Sequence, residues 1–182
     1  MIAFLDTEFT DFVEDPCLLS VGIVTADGRE FYAEVTDRHR LAAANHFVRE
    51  AVLSQFGQVP RAPCRYAELG QRAAAYFLAL GETMESSEVI EVAFDYPTDW
   101  SLLECAIKNA GTKHWDSVER LLRPVNIAGV TGILEGDLAA EEYFESVRLE
   151  LIHRHHALVD ARALQVAYTA AKASIVSGEF RW

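Results

Sequence analysis

The first ten residues, MIAFLDTEFT, constrain the fold more than any other stretch. Ile2, Ala3, Phe4 and Leu5 run into Asp6, and Thr7, Glu8 and Phe9 follow. A short run of apolar and aromatic residues of this kind predicts a strand buried on both faces. Side chains alternate across a strand, so Asp6 and Glu8 share one side, roughly 7 Å apart along the chain. Two like charges held at the end of a buried strand repel each other and lose solvation. A cation between them relieves the repulsion, and Mg²⁺ or Mn²⁺, which prefer carboxylate oxygens, suit that role. The pair alone leaves a second reading open, in which both carboxylates lie past the strand end in water.

A length of 182 residues is enough for a single domain with a real core. No apolar run approaches the length of a membrane span, and Asp6 interrupts the N-terminal apolar stretch, which argues against a signal peptide. Cys17, Cys64 and Cys105 are scattered and odd in number, as expected of free thiols in a reducing cytoplasm. The net charge of −12 argues against a protein that grips long nucleic acid through a basic face. Basic residues come only in short clusters: Arg38-His39-Arg40, Arg61 with Arg65, and His153-Arg154. A chain of this kind that handles nucleic acid holds a few nucleotides at one site. Two bound divalent ions would cancel about four of the negative charges.

After the first strand, residues 11–16 form a polar turn. LLSVGIVTADG (18–28) and REFYAEV (29–35) read as two strands joined by an Asp27-Gly28 turn. Residues 1–35 are thus expected to form a three-stranded antiparallel meander. Residues 41–55 have helical spacing at Phe47, Val48, Val52 and Leu53, and Gly57–Pro63 reads as a loop. Tyr66–Leu80 is expected to be a helix closed by Gly81, and residues 88–96 a strand. Pro97 opens a helix that runs to Asn109. Residues 121–129 form a weaker strand candidate, with helices over 138–152 and 157–175. A meander followed by alternating helices and strands predicts an α/β fold with a mixed sheet flanked by helices.

Two further segments carry acids that could join the first pair. In VAFDYPTDWSLL (92–103), Asp99 falls in the first turn of a helix, where it could face the sheet end or simply cap the helix. Asp95 could close the strand or cap the same helix, while helix phase turns Trp100 toward the core. In HRHHALVDARALQVAY (153–168), Asp160 lies among apolar residues early in a helix. His155 precedes it by five residues, from where an imidazole can reach over a site built on Asp160; His153 and His156 compete for that place.

In that order, Asp6-Thr7-Glu8, Asp99 and His155-x4-Asp160 resemble the three motifs of the DEDDh 3′→5′ exonucleases. That superfamily includes oligoribonuclease, RNase T and the proofreading subunit of bacterial DNA polymerase III. The second motif, an Asp followed by x-x-Phe/Leu-Leu, is matched by Asp99-Trp100-Ser101-Leu102-Leu103, and the third by HHALVDA, which selects His155. Many members have Asn where Asp95 stands, and Thr-Gly where Phe9-Thr10 follow Glu8. The likeness extends from residue 1 to about 170 and is most similar to a small bacterial group of exoribonuclease-like proteins.

The resemblance implies an RNase H-like fold and two Mg²⁺ or Mn²⁺ ions, about 3.5–4 Å apart, held by Asp6, Glu8, Asp99 and Asp160. Asp6 occupies the bridging position, and His155 is the general base. It implies release of nucleoside 5′-monophosphates from the 3′ end of single-stranded or short RNA. DNA is the alternative substrate, and a non-catalytic binding module the alternative class. Phe9, by stacking, and Thr10 follow the first motif and could meet the terminal nucleotide, with core packing as the competing reading for Phe9. Arg154, Arg162 and Lys172 are candidates for phosphate contact or for solvated charge. A homodimer is carried over from the family as an expectation.

Overall fold

A computed structural model describes residues 1–85 and 88–177. The strands β1 (Ile2–Phe9), β2 (Leu18–Thr25) and β3 (Glu30–Val35) form the expected antiparallel meander. Its Asp27-Gly28 turn is closed by the Gly28 amide, which donates to the Thr25 carbonyl, with Gly28 at φ 85° where a side chain would be strained. The sheet is completed by β4 (Pro63–Cys64), β5 (Ile90–Phe94) and β6 (Leu122–Asn126), in the order β4-β3-β2-β1-β5-β6. The β1–β5, β5–β6 and β3–β4 pairs are parallel, so the sheet is mixed and the protein is α/β.

The helices are α1 (Arg38–Ala42), α2 (His46–Ala51), α3 (Tyr66–Gly81), α4 (Pro97–Asn109), α5 (Thr112–Val118), α6 (Ala128–Thr131), α7 (Leu134–Ser146) and α8 (Ala157–Ser177). On one face of the sheet, Ala3, Leu5, Val21, Ile23 and Val92 pack against Leu69 and Phe77 of α3 and Leu103 and Ala106 of α4. On the other, Phe4 and Ala93 meet Leu164 of α8, and Val24 meets Leu158 and Ala161. The alternation along β1 therefore puts Leu5 and Thr7 on the α4 side, with Phe4, Asp6 and Glu8 on the α8 side.

Gly22 sits opposite Asp6 in the β1–β2 register. A Cβ at Gly22 would overlap the carbonyl of Ala157, the first residue of α8. The bare backbone lets α8 settle directly onto the sheet beside Asp6. At the end of β1 the register shifts: Glu8 faces Ser20 but Phe9 faces Leu18. A bulge of this kind re-aims the side chains that follow it.

Several boundaries differ from expectation. The single helix over residues 41–55 is instead α1, α2 and one 3-10 turn, Leu53–Gln55. Asn45 makes the break, because its side chain accepts from the Val48 amide at 2.8 Å and caps α2. The 57–63 loop ends in the short β4 rather than beyond it. The helix expected over 138–152 lies at 134–146, and the strand candidate at 121–129 divides into β6 and the first turn of α6. No helix among the described residues is long and apolar enough to cross a membrane.

Candidate metal centre

Three separate segments deliver the acids to one end of the sheet. Asp6 and Glu8 come from the last half of β1, Asp99 from the first turn of α4, and Asp160 from the first turn of α8. All four border a cleft of about 450 Å³, together with Asp95 and His155. The helix-cap reading of Asp99 gives way to a different bond. The N-cap of α4 is Tyr96, which makes no side-chain cap bond, and Asp99 Oδ1 accepts from the Thr7 hydroxyl at 2.7 Å and the Thr7 amide at 3.2 Å. Thr7, on the opposite side of β1 from its neighbours, thereby ties the second acid segment to the first.

Asp160 is held in the same manner from the chain before it. Both of its carboxylate oxygens accept from the His155 amide at 3.2 Å. His155 itself stands at φ 68°, a left-handed conformation uncommon outside glycine, and among L residues most often taken by Asn, Asp and His. Gln55 braces the approach: its amide nitrogen donates to the Arg154 carbonyl at 3.0 Å, and its oxygen accepts from the His153 amide at 2.7 Å. These bonds present the His155 ring to the acids, and Glu8, His155 and Asp160 each offer a ligand atom within 4.8 Å of the others. His156 is instead buried, with its ring stacked 4.3 Å from Tyr32. Of the three competing histidines, His155 is the one that borders the cleft.

Burial and mutual repulsion dominate the electrostatics. Burial raises the Asp6 carboxyl well above the usual range, and Asp99, Asp160, Glu8 and Asp95 push it further. Glu8 is raised by burial, then by Asp160 and Asp99. Asp99 and Asp160 are each pushed up to about 7, chiefly by burial, against the hydrogen bonds from Thr7 and His155. Asp6 Oδ2 is buried without any hydrogen-bond partner. An orphaned carboxylate oxygen among acids that disfavour one another's charge is the chemistry a divalent cation relieves, and the donor set is the oxygen-rich one that Mg²⁺ or Mn²⁺ takes. Burial also lowers the His155 pKa, helped by the charges of Arg154 and His153. Its imidazole is therefore neutral near pH 7 and able to accept a proton.

The cleft has an aromatic wall. Phe9 stacks with Tyr96 at 6.3 Å between centroids, and Phe12 meets both rings edge-on at 5.3 and 5.9 Å. Phe47 meets the edge of the His155 ring at 5.1 Å. Phe12 and Phe47 are 79% and 55% exposed. Phe9 borders the cleft, but Thr10 does not: it is buried, and its hydroxyl accepts from the Cys17 amide at 3.0 Å. Trp100 packs against Trp115 in the core.

Sequence reasoning did not find Phe12, Tyr96, Phe47 or Gln55. The Asn45 cap that starts α2 would have pointed to Phe47; Gln55 carries no local signal. Asp95, whose role was open, is a further carboxylate of the cleft, as is Asp11, and its pKa is raised by burial. No family model matches the chain, and neither does any curated protein.

Proposed function

We propose that this chain is a metal-dependent 3′→5′ exonuclease of the DEDDh type, with an RNase H-like fold, acting on single-stranded or short RNA. One observation carries the reading: Asp6, Glu8, Asp99 and Asp160, from three distant segments, border a single cleft with His155 beside them. Asp6, Glu8, Asp99 and Asp160 would hold two Mg²⁺ or Mn²⁺ ions, which supply acidification of a water and charge stabilisation at the phosphate. Thr7 fixes one oxygen of Asp99, which borders the cleft. His155 takes the proton of the attacking water as the new P–O bond forms and the bond from phosphorus to the departing 3′ oxygen breaks. The product is a nucleoside 5′-monophosphate. Phe9, in its stack with Tyr96, offers the terminal base a π-face, a contact that tolerates any sequence.

The test is a 5′-labelled oligoribonucleotide incubated with Mn²⁺ and wild type, Asp6→Ala or His155→Ala. The expected result is stepwise shortening by wild type, lost in chelator and in both variants. Equal activity in all three proteins, or turnover that persists in chelator, overturns the assignment. A matched DNA oligomer decides the substrate: degradation of DNA alone replaces RNA with DNA.

A further inference from the structure

Two clefts meet at the carboxylates. The second, about 520 Å³, shares Asp6, Asp95, Tyr96, His155 and Asp160 with the first and runs out along α6, α7 and α8. Its lining differs in charge: it adds Arg154 and Asp137 to the shared acids and lacks Glu8, Asp11 and Asp99. Arg154 is the one Lys or Arg that borders either cleft among the described residues, and it borders only the second. Arg162 is occupied by a two-pronged ion pair with Glu30 at 2.7 and 2.8 Å, and Lys172 lies over the Tyr168 ring.

Arg154 is presented rather than loose. Its guanidinium lies 4.5 Å from the centroid of the Phe144 ring, and Nη1 reaches Glu141 of α7 at 3.0 Å. Among the described residues, Nε and Nη2 have no acceptor, and the side chain is half exposed. Its charge is felt at Asp160, whose pKa it lowers. A guanidinium with one edge anchored and the other edge open is a ready partner for a phosphate.

The chemistry of a strand end sorts the two clefts. A 3′-terminal nucleoside carries no phosphate beyond the scissile one, so it needs a base-binding wall and no cation. The rest of the strand carries a phosphate at every linkage. We infer that the aromatic cleft takes the terminal nucleoside, and that the second cleft takes the strand on the 5′ side of the scissile bond, with Arg154 contacting a phosphate there. This inference rests on the exonuclease reading above. With one protein cation on the path, binding depends weakly on salt, with a slope of log K against log salt of about −0.7.

The experiment measures KM and kcat on a short oligoribonucleotide at constant Mn²⁺, for wild type, Arg154→Gln, Arg154→Lys and Glu141→Gln. Arg154→Gln is expected to raise KM about tenfold, as loss of one charged hydrogen-bond partner does, with kcat and the calorimetric Mn²⁺ affinity unchanged. Glu141→Gln, which frees the guanidinium, moves KM the other way, and Arg154→Lys lies between. A substrate with neutral methylphosphonates at the first two linkages 5′ of the scissile bond raises KM for wild type but not for Arg154→Gln. Unchanged KM in both Arg154→Gln and Glu141→Gln, with wild type active, overturns this inference alone. A loss confined to kcat also overturns it, because Arg154 then acts through His155. No hydrolysis by wild type removes the exonuclease reading and this inference with it.

Discussion

Leu5 and Asp6 are adjacent on β1 and belong to opposite kinds of environment. Leu5 is fully buried against Phe77 and Leu103, in an apolar seam that runs from α3 to α4. Asp6 is half-buried among four other acids, with one carboxylate oxygen shut off from water and unpartnered. Burial stabilises the first side chain and penalises the second. The apolar seam thus stabilises the fold outright, while the acidic end of the sheet, unlike the Phe4–Leu164 contact on the same face as Asp6, costs stability unless a cation is bound.

The contrast can be broken most severely on the apolar side. Phe77→Ala is expected to cost about 3–5 kcal/mol in urea unfolding while leaving metal affinity per folded molecule unchanged. On the acidic side the expected sign is the reverse, and metal sets it. The folded acids have raised pKa values, so the native state binds more protons than the unfolded chain between the unfolded carboxylate pKa and about 7. Their contribution therefore falls as pH rises through that window, and the cost is complete above it. Metal needs the ionised form. Mn²⁺ at a hundred times its dissociation constant should stabilise the protein by about 2.7 kcal/mol at pH 8 and by much less at pH 5. Measuring this increment against chelator at each pH removes the opposing effect of His156, which burial lowers to about 4 and which loses stability as pH falls below its usual value. An increment equal at both pH values would show that these acids do not receive the ion.

A third perturbation acts on the join between the two regions. Gly22→Ala places a methyl group against the Ala157 carbonyl and lifts the first turn of α8, with Asp160, off β2. Overpacking of this kind costs about 1–3 kcal/mol. Misplacement of Asp160 should lower the proposed nuclease activity about a hundredfold, while the intrinsic tryptophan fluorescence stays native. The smallest expected effect is that of Asp95→Asn. Removal of one repelling charge should stabilise metal-free protein by on the order of 1 kcal/mol at pH 8, and by nothing at pH 5, where the neighbours are protonated. Thermal melts in chelator at the two pH values decide it.

The parts of this molecule legible in the sequence are those with local causes. The strand alternation around Asp6, the Asp27-Gly28 turn, Pro97 at the start of α4 and the apolar period of α8 each act within a few residues. They placed each acid on its element, and the likeness of the three motifs to those of the DEDDh exonucleases joined the four acids and His155 in one expectation. Other features arise from contacts between distant segments. Thr7 meets Asp99 across 92 positions, and Gln55 meets Arg154 across 99, so neither bond leaves a local pattern. Thr10 was misplaced for a related reason. The bulge after Glu8 turns the chain, and the hydroxyl found the Cys17 amide instead of the cleft. The break at Asn45 was readable in principle, because an Asn three residues before the Val48 amide is a cap signal that the apolar period of 41–55 masked.

The left-handed backbone at His155 has a consequence for which substitutions selection keeps. Glycine or asparagine would relax that conformation, and removal of such strain is worth on the order of 1 kcal/mol. A library at this position sorted for abundance alone should enrich Gly and Asn, the residues that relieve the backbone but cannot take a proton. The same library sorted for turnover should return His. Divergence of the two sorts would mark a residue retained against the preference of its own peptide bond, for the sake of its ring.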